Sequence, residues 1–356
     1  MKYTKINFSD LNVSSVCLGT MTFGEQTKKK EAIRILDFAF QNGINYFDTA
    51  EMYPIYPKKK THGRSEEYLG EWIKKRKIRD KVYISTKICS GNQAGTGATN
   101  LSWIRGGGSN LNFSKKNMND AVNQSLKRLK TNYIDIYKLH FPERNVPMYG
   151  TLDFDYEKYN NNWTPIMEVI ENISILIKQG KIRYYGISNE TPWGISKFIH
   201  LSEKYNLPRP IIIQNVYNLL NRVFDIASSE FLMHENFQLA AYSPLAGGRL
   251  TGKYLKSKAP KNSRYTLWPG RFSRHLTSRG EKAITRYSKL SKKLGYDLID
   301  MANLFVLSRP FVACSIIGVT SVNQLRRNIK FLDLKIDRNV LKKINEIHYK
   351  DPNPCV

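Results

Sequence analysis

An apolar run, Ile44-Asn45-Tyr46-Phe47, ends on Asp48, and Tyr53 follows five residues later. A tyrosine has an ordinary pKa of about 10, so it gives up a proton near neutrality only with help from its neighbours. Two other apolar runs supply candidates. Ser85-Thr86-Lys87 ends on a cation, and Tyr137-Lys138-Leu139-His140 ends on an imidazole. Each residue alone has a plain structural explanation: Asp48 as a turn cap, Lys87 as a surface side chain, His140 as a satisfied core histidine. Together, at the ends of successive buried runs, they need partners. An acid, a cation and an imidazole around one phenol would make a proton-transfer site.

The elements that must position them read as short apolar or β-branched runs alternating with helical patterns. Strands are expected at 16–18, 45–48, 82–87, 134–140, 184–188, 211–215, 238–242 and 314–317. Between them, 29–42 places Ala32, Leu36, Ala39 and Phe40 on one face and stops at Gly43. Thr191-Pro192 has the cap-then-proline start of a helix running towards Lys204. Further helices are expected at 117–129, 163–179, 298–307 and 337–347. Eight strand–helix units predict an α/β fold, a (β/α)8 TIM barrel formed as one domain over 1–356. Residues 3–13 suit an N-terminal hairpin, and the last helix suits packing outside the barrel. Three irregular stretches, 89–113, 143–162 and 256–279, follow strands and belong on the face where barrel enzymes keep their sites.

The chain has 356 residues, 41% hydrophobic and 24% charged, as expected of a folded globular protein. No run approaches the roughly 18 apolar residues of a membrane span, and the start lacks an apolar leader, which predicts a cytoplasmic protein. Cys17, Cys89, Cys314 and Cys355 are widely spaced and the histidines are scattered, so neither a disulfide framework nor a metal site is expected. The net charge of +26 raises nucleic-acid binding. The basic runs at 28–30, 58–60, 74–77 and 115–116 are not interleaved with aromatics, and solvated loops and helix faces explain them better. A positive field would favour an anionic, phosphorylated cofactor.

Two glycine-rich stretches are decoys. Gly91-Asn92-Gln93-Ala94-Gly95-Thr96-Gly97 lacks the dinucleotide fingerprint. Gly247-Gly248-Arg249-Leu250-Thr251-Gly252-Lys253-Tyr254 fits a phosphate loop except that Tyr254 stands where Ser or Thr is needed for magnesium.

The stretches Phe47-Asp48-Thr49-Ala50-Glu51-Met52-Tyr53-Pro54, Leu139-His140-Phe141-Pro142 and Gly180-Lys181-Ile182-Arg183-Tyr184-Tyr185-Gly186-Ile187-Ser188-Asn189-Glu190 resemble the aldo-keto reductases, in particular their bacterial Tas-type branch. The resemblance runs from Leu18 to Asn328. It implies a catalytic tetrad of Asp48, Tyr53, Lys87 and His140: Tyr53 as general acid with its pKa lowered by Lys87, Asp48 orienting Lys87, and His140 orienting a substrate carbonyl. It also implies NADP(H) as cofactor and an aldehyde or ketone as small-molecule substrate.

By the same resemblance, Thr20 and Met21 line the nicotinamide pocket, and Ser188, Asn189 and Gln214 hold the carboxamide. Tyr242 stacks on the ring. Ser243, Pro244, Leu245 and Gly247 run beside the pyrophosphate, with Lys253 and Arg264 supplying positive charge. Gly318, Thr320, Gln324 and Asn328 hold the 2′-phosphate end, where a helix N-terminus would suit an anion. Ser321 and Gln324 fit a capping box equally well. Arg327 replaces the usual acidic residue, an added cation compatible with a 2′-phosphate. Trp103, Tyr149 and Trp163 are candidates for an apolar substrate pocket. A second function follows from the same superfamily: a cofactor-binding, redox-responsive interaction protein with little turnover, like the potassium-channel β subunits.

Overall fold

The computed structural model describes residues 1–91, 101–107, 110–255, 259–270 and 272–356, and for Ser273 the backbone. Eight parallel strands close into a barrel: β3 (Val16–Gly19), β4 (Tyr46–Asp48), β5 (Tyr83–Ile88), β6 (Ile134–Leu139), β7 (Ile182–Ser188), β8 (Ile213–Val216), β9 (Leu239–Tyr242) and β10 (Val312–Gly318), with β10 pairing back onto β3. The expected (β/α)8 barrel is therefore the fold. The N-terminal hairpin is β1 (Tyr3–Lys5) against β2 (Asn12–Ser14). Its Ile6, Leu11 and Val13 pack with Cys17, Tyr46, Ile136, Ala240 and Cys314 from the barrel interior.

Around the barrel run α1 (Lys29–Gln41), α2 (Arg64–Arg76), α3 (Lys115–Leu129), α4 (Ile166–Lys178), α5 (Pro192–Lys204), α6 (Ser228–His234), the single turn α7 (Arg264–Leu267), α8 (Ser278–Lys293), α9 (Leu298–Leu307), α10 (Val322–Asn328) and the outer α11 (Arg338–Lys350). Thr191 caps α5 by accepting from Gly194 N, with Pro192 at the first helical position. Helix α4 begins at Ile166, later than its apolar pattern suggested. Pro165 disfavours helical geometry at the residue before it, and Thr164 is bonded to Glu143 instead.

Period-two alternation along the strands divides their side chains between two environments. Phe47, Ile84, Ile88, Tyr137 and Leu139 point out into the layer under the helices. There Phe47 and Phe40 pack on Trp72, whose Nε1 donates to Asp37 at 2.8 Å. The inward set includes Tyr46, Asp48, Ser85, Lys87, Ile136 and Lys138, and the polar members of that set lie towards the strands' carboxyl ends.

Candidate active site

Asp48 is the hub. Its Oδ2 accepts from Lys87 Nζ at 2.6 Å and Gln214 Nε2 at 3.2 Å; its Oδ1 accepts from Ser85 Oγ at 2.6 Å and Lys138 Nζ at 3.0 Å. Burial alone would raise this carboxyl's pKa, but the two ammonium groups and the hydrogen bonds outweigh it and hold the group well below the usual carboxylate range. Lys87 donates also to Thr49 O at 2.6 Å. Its Nζ lies 5.0 Å from the centroid of the Tyr53 ring, and the His140 ring meets Tyr53 edge-on at 5.6 Å. Phe141 stacks on His140 at 4.3 Å and fixes the imidazole plane. The four residues expected to form one site are thus brought together.

The expected net fall in the Tyr53 pKa is not found: burial, with the Asp48 charge second, pushes the phenol well above its ordinary value. The group drawn towards neutrality is Lys87, brought down to about 8 by burial, with Asp48 opposing and Lys138 adding to the fall. His140 is pushed well below its ordinary value by burial and then by Lys87, so its ring is neutral. Its Nδ1 is buried without a partner among the described residues.

The segments around this rim are braced by buried and half-buried carboxylates. Glu51 accepts from Cys89 N and from Arg105, which also donates to Cys89 O at 2.7 Å. Glu66 ties Thr86 to Arg128. Glu143 accepts from Phe113 N and Thr164 N, and Arg144 pairs with Glu190. Around Tyr53 lies an apolar wall in which Met21, Tyr56, Trp103, Met148, Tyr149 and Phe272 pack against Met52, Ile55 and Phe141. Trp103 and Tyr149 therefore sit at the site. Trp163 instead joins the core under the helices and meets Trp193 edge-on.

Most of the expected nicotinamide residues share this rim. Ser188 Oγ donates to Gln214 O at 2.8 Å and accepts from Asn189 Nδ2 at 3.2 Å. Asn189 Nδ2 reaches His140 O at 2.9 Å, and Tyr242 donates to Asn189 Oδ1 at 2.7 Å. Tyr149 hydrogen-bonds to the same Tyr242 and Asn189. Gln214 is half committed to the interior, accepting from Lys138 at 2.7 Å as well as donating to Asp48. Thr20 is fully buried and bonded to Asp48 O and Ser65, so its side chain backs the site, whereas Met21 faces it.

After β9 the chain turns sharply, with positive φ at Ser243, Ala246, Gly247 and Gly248. Pro244 is buried and Leu245 packs against the core, leaving the backbone as the exposed feature. A Cβ at Gly247 would meet the Tyr265 hydroxyl at 3.0 Å, His275 at 3.1 Å and an Arg264 Nη at 3.4 Å. Glycine is needed there both for its φ of +64° and for the close approach. Arg264 stacks on Phe272, Arg249 and Lys253 lie over Tyr254, and Arg274 lies over Tyr149. Among the described residues, Arg249 Nε, the Tyr265 hydroxyl and His275 Nδ1 are buried without partners, and none of these cations has a carboxylate partner.

Gly318 pairs in register with Gly19, next to Thr20. Beyond it, two expectations are corrected. Arg327 is bound by Asp300 and Asp297, each at 2.7 Å, so its charge is neutralised rather than offered to a phosphate. The first-turn amide of Val322 already donates to Glu31 at 3.1 Å, and α10 has only seven residues. Of the capping box, Ser321 accepts from Gln324 N at 3.3 Å, but Gln324 Oε1 turns back to Thr320 N and Oγ1. Asn328 is buried.

Lys138, Arg249, Arg274 and His275 were not anticipated. Lys138 had a readable signal: it stands two residues before His140, on the same inward face of the strand. The glycine-rich decoy at 92–97 lies outside the described residues. All four cysteines are free and buried, no group of three or more His, Cys, Asp or Glu among the described residues could hold a metal, and no described helix is long and apolar enough to cross a membrane.

The aldo/keto reductase family model matches residues 15–348. The protein Tas of Escherichia coli is 39% identical over 99% of this chain and 100% of its own length. An aldo-keto reductase of Babesia bovis is 38% identical over 77% of this chain and 98% of its own. A probable voltage-gated potassium channel subunit beta of Arabidopsis thaliana is 29% identical over 99% and 98%. With eight parallel strands, a polar cluster at their carboxyl ends and this extent of similarity, the chain belongs to the aldo/keto reductase family of oxidoreductases.

Proposed function

We propose that this oxidoreductase reduces the carbonyl of an aldehyde or ketone using NADPH, with Tyr53 as general acid. The observation that carries this reading is the buried Asp48–Lys87 contact at 2.6 Å, set beneath the Tyr53 ring and beside a neutral His140. The donor set also fits the cofactor. Ser188 keeps an acceptor position, and Gln214 keeps one N–H and one lone pair after bonding Asp48 and Lys138, which suits a carboxamide. The Gly247 cradle, with unpartnered Arg249 Nε and Tyr265 hydroxyl beside Arg264 and Lys253, suits a phosphate. Gly318, Thr320, Gln324 and Asn328 are assigned to the 2′-phosphate end, where Gln324 has to release Thr320 to reach a ligand.

Bound reduced nicotinamide supplies hydride to the carbonyl carbon. The chain does the rest. Neutral His140 donates a hydrogen bond to the carbonyl oxygen and orients it. Tyr53 stays protonated through burial and gives its proton to the developing alkoxide. The Lys87 ammonium under the ring then stabilises the phenolate left behind, while Asp48 keeps Lys87 in place. The aromatic wall excludes water and favours an apolar substituent on the carbonyl. This reading calls for a small-molecule partner, with neither nucleic acid nor membrane involved.

The test is a fluorescence titration with NADPH and with NADH, followed by NADPH oxidation against a panel of aldehydes and ketones. Saturable binding with turnover of at least one carbonyl supports the reading; failure to bind either nucleotide contradicts it. Similarity to a protein named as a potassium channel subunit beta favours a second reading, a cofactor-responsive interaction protein. Tight nucleotide binding with no turnover across the panel would select it.

A further inference from the structure

Catalysis through Tyr53 calls on one buried lysine, and among the described residues the barrel interior holds two. Lys87 on β5 and Lys138 on β6 are register partners, and both are fully buried. Like charges opposite each other on neighbouring strands repel, and each buried ammonium is costly without a counter-ion. A single carboxylate serves both: Asp48 Oδ2 takes Lys87 at 2.6 Å and Oδ1 takes Lys138 at 3.0 Å, and among the described residues no other acid is ion-paired with either. Lys138 is built in rather than tolerated. Its three N–H donors are shared among Asp48 and, also within hydrogen-bond distance of Nζ, Tyr46 at 2.9 Å, Ser85 at 3.1 Å and Gln214 at 2.7 Å. Its register partner on β7 is Gly186, where a Cβ would stand 3.3 Å from the Lys138 stem.

We propose, resting on the reductase reading, that Lys138 is a positioning residue for proton transfer: it leaves the Asp48–Lys87–Lys138 cluster one positive charge in surplus beside Tyr53. Without Lys138, Asp48 and Lys87 form a neutral pair whose field at the phenol largely cancels. With it, the surplus charge favours the phenolate formed when the Tyr53 O–H proton passes to the substrate alkoxide. Of the other titratable groups at the cluster, Cys17, Cys314 and Tyr46 are raised by burial and His140 is held neutral, while from outside it Tyr149 raises the Tyr53 pKa and the Arg264 guanidinium lowers it. Consistent with this, Lys138 is among the groups that draw Lys87 down to about 8.

The experiment compares wild type with Lys138→Gln, which keeps hydrogen bonding and removes the charge. The alkaline limb of the pH–kcat profile for carbonyl reduction should move up by about one unit, and alcohol oxidation at fixed pH should slow about tenfold, with nucleotide affinity little changed. NMR of 13C-labelled lysine, with the Lys87 signal assigned through Lys87→Met, gives a readout that needs no turnover, and its midpoint should rise in the variant. A merely structural role would lower the melting temperature and kcat but leave both midpoints in place, and that result overturns the proposal. If Lys138→Gln does not fold, Gln214→Glu sets a carboxylate against Lys138 and should raise the same midpoints; unmoved midpoints again overturn it. Absence of carbonyl turnover in wild type would defeat the reductase reading, while the Lys87 titration still judges the surplus charge.

Discussion

At the scale of single residues, the site is a problem of holding several ionisable groups out of water in chosen states. Burial alone would neutralise Asp48; two lysines and the Ser85 and Gln214 hydrogen bonds keep it charged. Its stabilising effect is present above the ordinary carboxylate range and is lost as pH falls through and below it, so acid should loosen the barrel mouth. Lys87 behaves oppositely. Its pKa falls from 10.5 to about 8 on folding, so the cost of burying its charge is full below about pH 8 and is relieved as pH rises towards 10.5. The catalytic consequence is a prediction: the rate of carbonyl reduction should fall as pH passes upward through about 8, read from kcat across a buffer series. A profile flat to pH 10 would detach Lys87 from the chemistry. His140, neutral and stacked on Phe141, binds the carbonyl rather than carrying charge. His140→Ala should raise KM for the carbonyl while leaving the NADPH dissociation constant within about twofold; each is read by titration.

At the scale of elements, the barrel strands were legible because each is a short, largely apolar run, with Asp48, Lys87 and His140 at or next to the ends of three of them. What could not be read was which inward polar residues share a partner, since that depends on cross-strand register. Lys138 was in plain view beside His140, yet only the pairing of β5 with β6 puts it on Asp48. Arg327 was misread for the same reason: Asp297 and Asp300, on another helix, consume its charge. Helix α2 escaped notice because Gly70 interrupts its pattern and a basic run ends it. The structure explains Gly70, since a Cβ there would stand 2.4 Å from Arg128 O at the end of α3. Gly70→Ala should therefore destabilise by about 1–3 kcal/mol through overpacking, measured by chemical denaturation. On the segment after β9, the pair Lys253→Ala and Arg264→Ala should raise the NADPH dissociation constant, more at low salt than at high salt. An unchanged constant at low salt would remove these two cations from the phosphate site.

At the scale of the whole molecule, the dominant feature is the net charge of +26. Much of it lies on exposed lysines, while many of the acids are already engaged in ion pairs such as those of Asp37, Asp135 and Glu66. Self-repulsion of that size destabilises the compact state and is screened by salt, so the melting temperature should rise between low and moderate ionic strength. A melting temperature that falls instead would mean that specific surface ion pairs outweigh the net charge. The same field steers anions, and association with NADPH should slow as salt is added. The central claim, that Tyr53 is the proton donor of a working carbonyl reductase, is tested most directly by one paired measurement: NADPH affinity and carbonyl turnover in wild type and Tyr53→Phe. Tyr53→Phe should bind NADPH with nearly the wild-type dissociation constant and lose about 10²–10⁴-fold in kcat. Turnover near the wild-type rate in that variant would contradict the assignment.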